Sequence, residues 1–207
     1  MIKVENVEVF GWEAALRGMR NPLASHAKSD SEVYNDEVKI GPNDLDLMKR
    51  LTKAGPEHRK FLRMLHVQMD LTIPLYFEKQ FSTYKIGTVT NSYSTMHTIH
   101  KNGIGYDLFS LDGGTELSKD EREVVGQYMK LLEKLRQECK SGDKKWRTLI
   151  QLLPSSFNQK RTVDLNYETI LAMIRQRRGH KLSEWNEFIT VLEGLPYVKE
   201  LAETMSK

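Results

Sequence analysis

Eight residues near the middle of the chain, His66-Val67-Gln68-Met69-Asp70-Leu71-Thr72-Ile73, alternate polar and apolar without a slip. A period of two places every second side chain on one face and predicts a strand with one buried side. Pro74 follows, suited to the first position of a helix carrying Leu75, Phe77 and Phe81. A looser alternation, Ile2, Val4, Val7 and Val9 with one slip, predicts an opening strand that Gly11 breaks. Helical spacing dominates elsewhere. Trp12, Ala15, Leu16 and Met19 share one face of a short helix that Asn21-Pro22 ends. Asn43 is the expected N-cap of a helix with Leu47, Met48, Leu51 and Ala54 as its stripe and Gly55-Pro56 as its stop. Ser118 and Glu121 form a capping box ahead of a long amphipathic helix defined by Val124, Tyr128, Leu131, Leu132, Leu135 and Cys139, and Ser141-Gly142-Asp143 closes it.

The C-terminal third continues in the same manner. A short helix over 146–153 stops at Pro154, and Asn166 caps a helix containing Tyr167, Ile170, Leu171 and Ile174 that Gly179 ends. Leu182, Trp185, Ile189 and Leu192 mark the next helix, stopped by Gly194, and Pro196 starts a terminal one. Residues 25–37 are polar and predict a loop. Residues 85–110 are rich in Thr, Ser, Asn and Gly with weak periodicity, a composition of turns and ligand contacts. Few strands among many helices, with no internal repeat, predict an α/β (α+β) chain, a single domain over 1–207 with a helical segment at about 118–153.

Composition narrows the classes. The 207 residues carry 31 Lys+Arg against 28 Asp+Glu, a net charge of +3, which lacks the one-signed excess of a dedicated nucleic-acid binder. With 39% hydrophobic and 29% charged residues the chain is globular rather than disordered or fibrous. One cysteine, Cys139, rules out an intramolecular disulfide and a multi-cysteine zinc site, and favours a cytoplasmic location. No run approaches the roughly 18 apolar residues of a membrane span, and residues 1–6 do not resemble a signal sequence. His97 and His100 stand at i, i+3 without a third ligand at a sensible spacing, so no metal site is expected. Trp12, Trp146 and Trp185 sit at apolar-face spacing and predict core packing.

The chemistry-bearing stretch is Lys79-Gln80-Phe81-Ser82-Thr83-Tyr84-Lys85-Ile86-Gly87-Thr88-Val89-Thr90-Asn91-Ser92-Tyr93-Ser94. It sets cations, hydroxyls and amides directly after a helix, groups that hydrogen-bond a phosphate or a nucleobase edge. The dense basic run Arg175-Gln176-Arg177-Arg178-Gly179-His180-Lys181 suits either a helix C-terminus or a phosphate.

Both stretches resemble the flavin-dependent thymidylate synthase family. Its signature R-H-R-x-x-S-x-N-E-x-S-x-R follows a Gln-aromatic pair, matched by Gln80-Phe81. Lys85 falls on the last basic residue of R-H-R and Thr88 on the first Ser. After one inserted residue, Asn91-Ser92-Tyr93-Ser94 falls on N-E-x-S. Leu153-Pro154, Asn166, Arg177 or Arg178, and Ser183-Glu184-Trp185 follow in the order of the family's C-terminal half, where a strand precedes the Asn. Counting from Asn166 selects Arg177 as the substrate-binding arginine, and counting back from Glu184 selects Arg178. His58 opens a weaker echo of the family's H-x-S-P-F-E-H.

The resemblance implies a central, mostly antiparallel sheet flanked by helices, and reductive methylation of dUMP to dTMP with methylenetetrahydrofolate, FAD and NADPH. The flavin would carry the chemistry, with no side-chain nucleophile. His58, Gln80, Lys85, Thr88, Asn91 and Asn166 would bind the cofactor, and Ser92, Ser94, Arg177 and Arg178 the substrate, in a homotetramer whose active sites lie between subunits. The chain departs from the signature at Thr83 and Tyr84 (R-H), Ser92 (the acid) and Met96 (the final Arg). Those losses remove charged hydrogen bonds that hold phosphate in the family. They make a catalytically inactive or repurposed nucleotide- or flavin-binding homologue the alternative to a divergent enzyme.

Overall fold

The computed structural model describes residues 2–34, 37–111, 117–140 and 145–205. The helix stop expected at Ser141-Gly142-Asp143 lies outside the described residues.

Strand β1 (Lys3–Phe10) leads through Gly11 into helix α1 (Trp12–Arg20). Gly11 has φ +95°, and a Cβ there would stand 2.0 Å from the Met64 carbonyl oxygen, so no other residue fits this junction. Residues 25–37, expected as loop, contain β2 (Glu32–Tyr34), which pairs antiparallel with β3 (Glu37–Lys39) in the register Glu32 opposite Lys39 and Val33 opposite Val38. These strands are too short and too exposed to show a period.

Helix α2 (Pro42–Ala54) follows, with Gly41 at its N-cap rather than Asn43. The first-turn N–H groups of Asn43 and Asp44 donate instead to the Asp30 carboxylate, at 2.9 and 3.0 Å. A remote side chain thus does the capping that local sequence had assigned to Asn43.

Strand β4 (His66–Pro74) buries Val67, Met69, Leu71 and Ile73 as its alternation predicts, each contributing on the order of 1.5–3 kcal/mol. Pro74 is the N-cap, not the first residue, of α3 (Leu75–Phe81). Strand β5 (Thr88–Ser92), short helix α4 (Thr95–Thr98), the long α5 (Lys119–Lys140) and α6 (Trp146–Leu152) come next. Strand β6 (Asn158–Asn166) then feeds α7 (Tyr167–Arg177), α8 (Ser183–Glu193) and α9 (Val198–Met205). Helix α9 starts after Tyr197, at φ +60°, and not at Pro196.

The main sheet has the order β1-β4-β6-β5. The Tyr167 N–H donates to the Leu65 carbonyl, and the Leu75 N–H donates to the Phe157 carbonyl, so β4 and β6 run antiparallel. The chain divides into two compact units, one of residues 1–3, 71–83 and 91–161, the other of residues 4–70, 84–90 and 162–207.

In the first unit the core is Ile99, Ile104, Phe109, Met129, Leu132, Leu135, Leu149 and Phe157. The α5 capping box forms: the Glu121 N–H donates to Ser118 Oγ at 3.3 Å, and the Ser118 N–H donates to Glu121 Oε2 at 2.7 Å. The expected inward face largely holds: Leu132 and Leu135 are buried and Tyr128 and Cys139 pack against this core, while Val124 and Leu131 are exposed and Met129 is buried in addition. Cys139 is half-buried against this core. Trp146 is 41% exposed, contrary to the expected core role. In the second unit Trp12 and Trp185 are buried, and Trp12 meets the Tyr167 ring edge-on at 5.5 Å. No helix among the described residues is long and apolar enough to cross a membrane.

Candidate functional site

In the second unit, the segment 84–88 is fastened along α7. Asn166 caps that helix as its spacing predicts: its Oδ1 accepts the Thr169 N–H at 2.9 Å. Thr169 Oγ1 donates to the Ile86 carbonyl at 2.8 Å, which ties the segment to the helix's first turn. Gly87, at φ +71°, lies so close that a Cβ would sit 1.9 Å from Asn166 Nδ2. At the far end of α7, the Tyr84 hydroxyl donates to Gln176 Oε1 at 3.0 Å and accepts from Arg177 Nε at 3.1 Å. The Arg177 guanidinium stands 4.9 Å from the centroid of the buried Trp185 ring and 5.7 Å from that of Tyr84. Cation–π attraction and the hydroxyl together fix its position. Thr88 Oγ1 is buried and has no hydrogen-bond partner among the described residues.

Arg178, its neighbour, is exposed and ion-paired with Glu193. The two arginines left open by counting therefore differ: Arg177 is half-buried among rings and Arg178 is on the surface. Lys85 is exposed one residue from Tyr84. His58 is exposed in the turn after α2 and makes no side-chain hydrogen bond to the other candidates. Next to it, Arg59 and Arg63 both donate to Glu168. Burial would raise the Glu168 pKa, but these two hydrogen bonds outweigh it and hold the carboxyl below its ordinary value.

The first unit holds a cavity of about 640 Å³. Ile99, Leu108 and Phe157 supply its apolar side, and Ser94, the one candidate from the signature to line it, stands beside Tyr93 and Thr95. Lys101, Asn102, Asn158 and Lys160 add cations and amides. Gln159, also in the wall, is fully committed: its Nε2 donates to the Tyr93 carbonyl at 2.6 Å and Thr95 Oγ1 at 3.2 Å, while its Oε1 accepts from Arg161 at 2.8 Å. Arg161 is 3% exposed and also donates to Glu78 at 2.9 Å. Asn158 Oδ1 accepts from Ser110 Oγ at 2.9 Å, which leaves its amide N–H groups to a ligand.

Among the other candidates in this unit, Gln80 is half-buried on α3, and Asn91 and Ser92 are exposed at the end of β5. The structure thus gathers Lys85, Thr88, Asn166 and Arg177 in the second unit and sets Ser94 on the cavity of the first. Lys101, Asn158 and Lys160 were not singled out from the sequence. No motif joins them, and only the antiparallel return of β6 could have signalled the last two. Among the described residues no group of three metal-ligating side chains forms.

No protein-family model matches the chain, and no curated protein matches it either. Solved structures do. Thymidylate synthase X from Helicobacter pylori, crystallised with FAD and dUMP, superposes with a TM-score of 0.72 over 100% of both chains at 16% identity. A second structure of that flavin-dependent enzyme, also complexed with FAD and dUMP, gives 0.69 over 97% of this chain and 98% of the other, again at 16% identity. The chain has the flavin-dependent thymidylate synthase fold. The UMP/dUMP methylase PolB from Streptomyces cacaoi, bound with 5-Br dUMP, shares it with a TM-score of 0.65 and 14% identity, covering 100% of this chain and 95% of that one. At these identities the likeness is one of fold alone.

Proposed function

We propose that the protein binds a pyrimidine nucleoside monophosphate and a flavin on this fold and methylates the nucleotide reductively, dUMP to dTMP, with methylenetetrahydrofolate and NADPH. The observation that carries this reading is the cavity of the first unit. It combines an apolar side, the aromatic rings of Tyr93 and Phe157, uncommitted amide donors on Asn158, and the cations Lys101 and Lys160 around Ser94. A ring to be stacked, a base edge to be hydrogen-bonded and a phosphate to be neutralised ask for those groups. Structural neighbours bound to dUMP or its 5-bromo analogue support the choice of nucleotide.

The donors of the second unit fit a flavin nucleotide. The orphaned Thr88 hydroxyl is a buried donor awaiting an acceptor, Lys85 offers an exposed cation, and Asn166 and Gly87 keep the intervening backbone in place. When bound, the flavin would supply the electron transfer that none of these side chains performs. His58, Gln80 and Asn91 remain proposed cofactor contacts, and Ser92 and Ser94 proposed substrate contacts. Arg177 is the better proposal for the substrate arginine, because the rings of Tyr84 and Trp185 hold it in one place, whereas Arg178 is occupied by Glu193. A homo-oligomer and a cytoplasmic location complete the proposal.

One observation favours the second reading, a binding protein without the activity. Tyr84, at the position of the family's imidazole, has its hydroxyl engaged by Gln176 and Arg177. Release of tritium from [5-³H]dUMP by the purified protein with FAD, NADPH and methylenetetrahydrofolate decides between them. Turnover is the expected result. Nucleotide and flavin binding without release would establish the second reading, and absence of all binding would remove both.

A further inference from the structure

Met96 stands where the signature that this stretch resembles ends in an arginine, so a phosphate bound here would need another cation. The loop after α4 carries a replacement. Lys101 lines the cavity, and its ammonium makes no hydrogen bond or ion pair among the described residues. Most exposed lysines sweep a wide volume, but the backbone on both sides of this one is clamped from α5. Arg136 donates through one guanidinium nitrogen to the His100 carbonyl at 3.2 Å, and Glu133 accepts the Ile104 N–H at 2.9 Å. Glu133 and Arg136 also bind each other through two hydrogen bonds, Nε to Oε2 at 2.7 Å and Nη2 to Oε1 at 2.5 Å. Arg136 is 6% exposed. A buried guanidinium beside Glu133 holds that carboxyl down at about 2, so the clamp stays charged under any ordinary condition.

We propose that Lys101 is the phosphate-binding cation of the first unit's cavity, with Glu133 and Arg136 as positioning residues that fix its loop. The ligand class is a nucleoside monophosphate, and this assignment rests on the functional reading above. A clamped loop lowers the ordering cost of binding, and an ammonium without an internal partner gives up no existing ion pair to receive an anion. Asn102 lines the cavity next to it and adds a neutral donor to the same wall.

The test compares equilibrium binding of deoxyuridine 5′-monophosphate with that of deoxyuridine, by calorimetry on the full chain. The ratio of the two affinities isolates the phosphate. Wild type should prefer the monophosphate by tenfold or more, Lys101→Met should lose most of that ratio while its deoxyuridine affinity stays constant, and Lys101→Arg should restore it. Lys130→Met, an exposed lysine of α5 that does not line this cavity, removes the same charge and should leave the ratio unchanged. Arg136→Lys, which keeps the charge but not the forked hydrogen bonds, should lower the ratio less than Lys101→Met does. A wild-type preference that survives Lys101→Met overturns the assignment and leaves the functional reading standing. Equal losses from Lys101→Met and Lys130→Met also overturn it, since the effect would then be net charge alone. If wild type binds neither compound, the functional reading fails and this assignment falls with it.

Discussion

The signature-like stretch meets two different fates. Its first part, Tyr84 to Thr88, is held against α7 by the Tyr84 hydroxyl, the Thr169–Ile86 bond and the tight approach of Gly87 to Asn166. Its last part, Asn91 to Ser94, has all its residues exposed, and Ser94 lines a cavity whose lysines and amides come from elsewhere in the chain. The difference teaches that polar residues in one motif do not share one job. Where a polar atom is already engaged inside the protein, as the Asn166 Oδ1 and the Tyr84 hydroxyl are, it serves the scaffold first. Where the capacity is open, as at Ser94 and Lys101, it is available to a ligand.

Substitutions can break this contrast. Gly87→Val should cause the largest loss, about 3 kcal/mol or more by urea denaturation, because it forces a β-branched residue to a positive φ against Asn166. Arg136→Met should cost about 3 kcal/mol, since it strands the Glu133 carboxylate and unties the 100–104 loop. Arg177→Ala should destabilise by about 1–2 kcal/mol through loss of the Trp185 stack and the Tyr84 hydrogen bond, while Arg178→Ala should change stability by less than about 0.5 kcal/mol. Equal effects of the two arginines would show that the aromatic seat does not distinguish them. Ser94→Ala should be the mildest, within about 0.5 kcal/mol in stability yet measurably weaker in nucleotide binding.

The α5 clamp also fixes an acid limit. Glu133 has a folded pKa of about 2 against an ordinary 4.5, lowered mainly by its hydrogen bond to Arg136. A depressed carboxylate contributes stability in full above its unfolded pKa and loses it as pH falls through the folded value. The stability lost between about pH 5 and pH 2 should therefore be smaller in Glu133→Gln than in wild type. An unchanged acid limb in that variant would show that the clamp carries no charge-dependent stability.

Legibility followed from where the information lay. Strand β4 and the Asn166 cap were readable because a period and a spacing are local, and both correspond to one-sided burial or one hydrogen bond. Strand β5 was not: it is an edge strand with most of its residues exposed, so no alternation marks it. The inward face of α5 was legible through Tyr128, Leu132, Leu135 and Cys139, but not Arg136, which is buried with its partner Glu133 rather than by hydrophobicity. Asp30 capping α2 and Lys101 meeting Lys160 on one cavity are products of tertiary folding, and neither has a sequence signal. The choice between Arg177 and Arg178 needed the positions of Tyr84, Trp185 and Glu193.

The most direct test of the central claim, a nucleotide and a flavin on this fold, is a titration of the purified chain with FAD followed by dUMP, read by the flavin's visible absorbance and fluorescence. Binding should quench and shift the flavin signal saturably, and dUMP should perturb it further in wild type but much less in Lys101→Met. A flavin spectrum identical to that of free FAD at every protein concentration, with no response to dUMP, would contradict it.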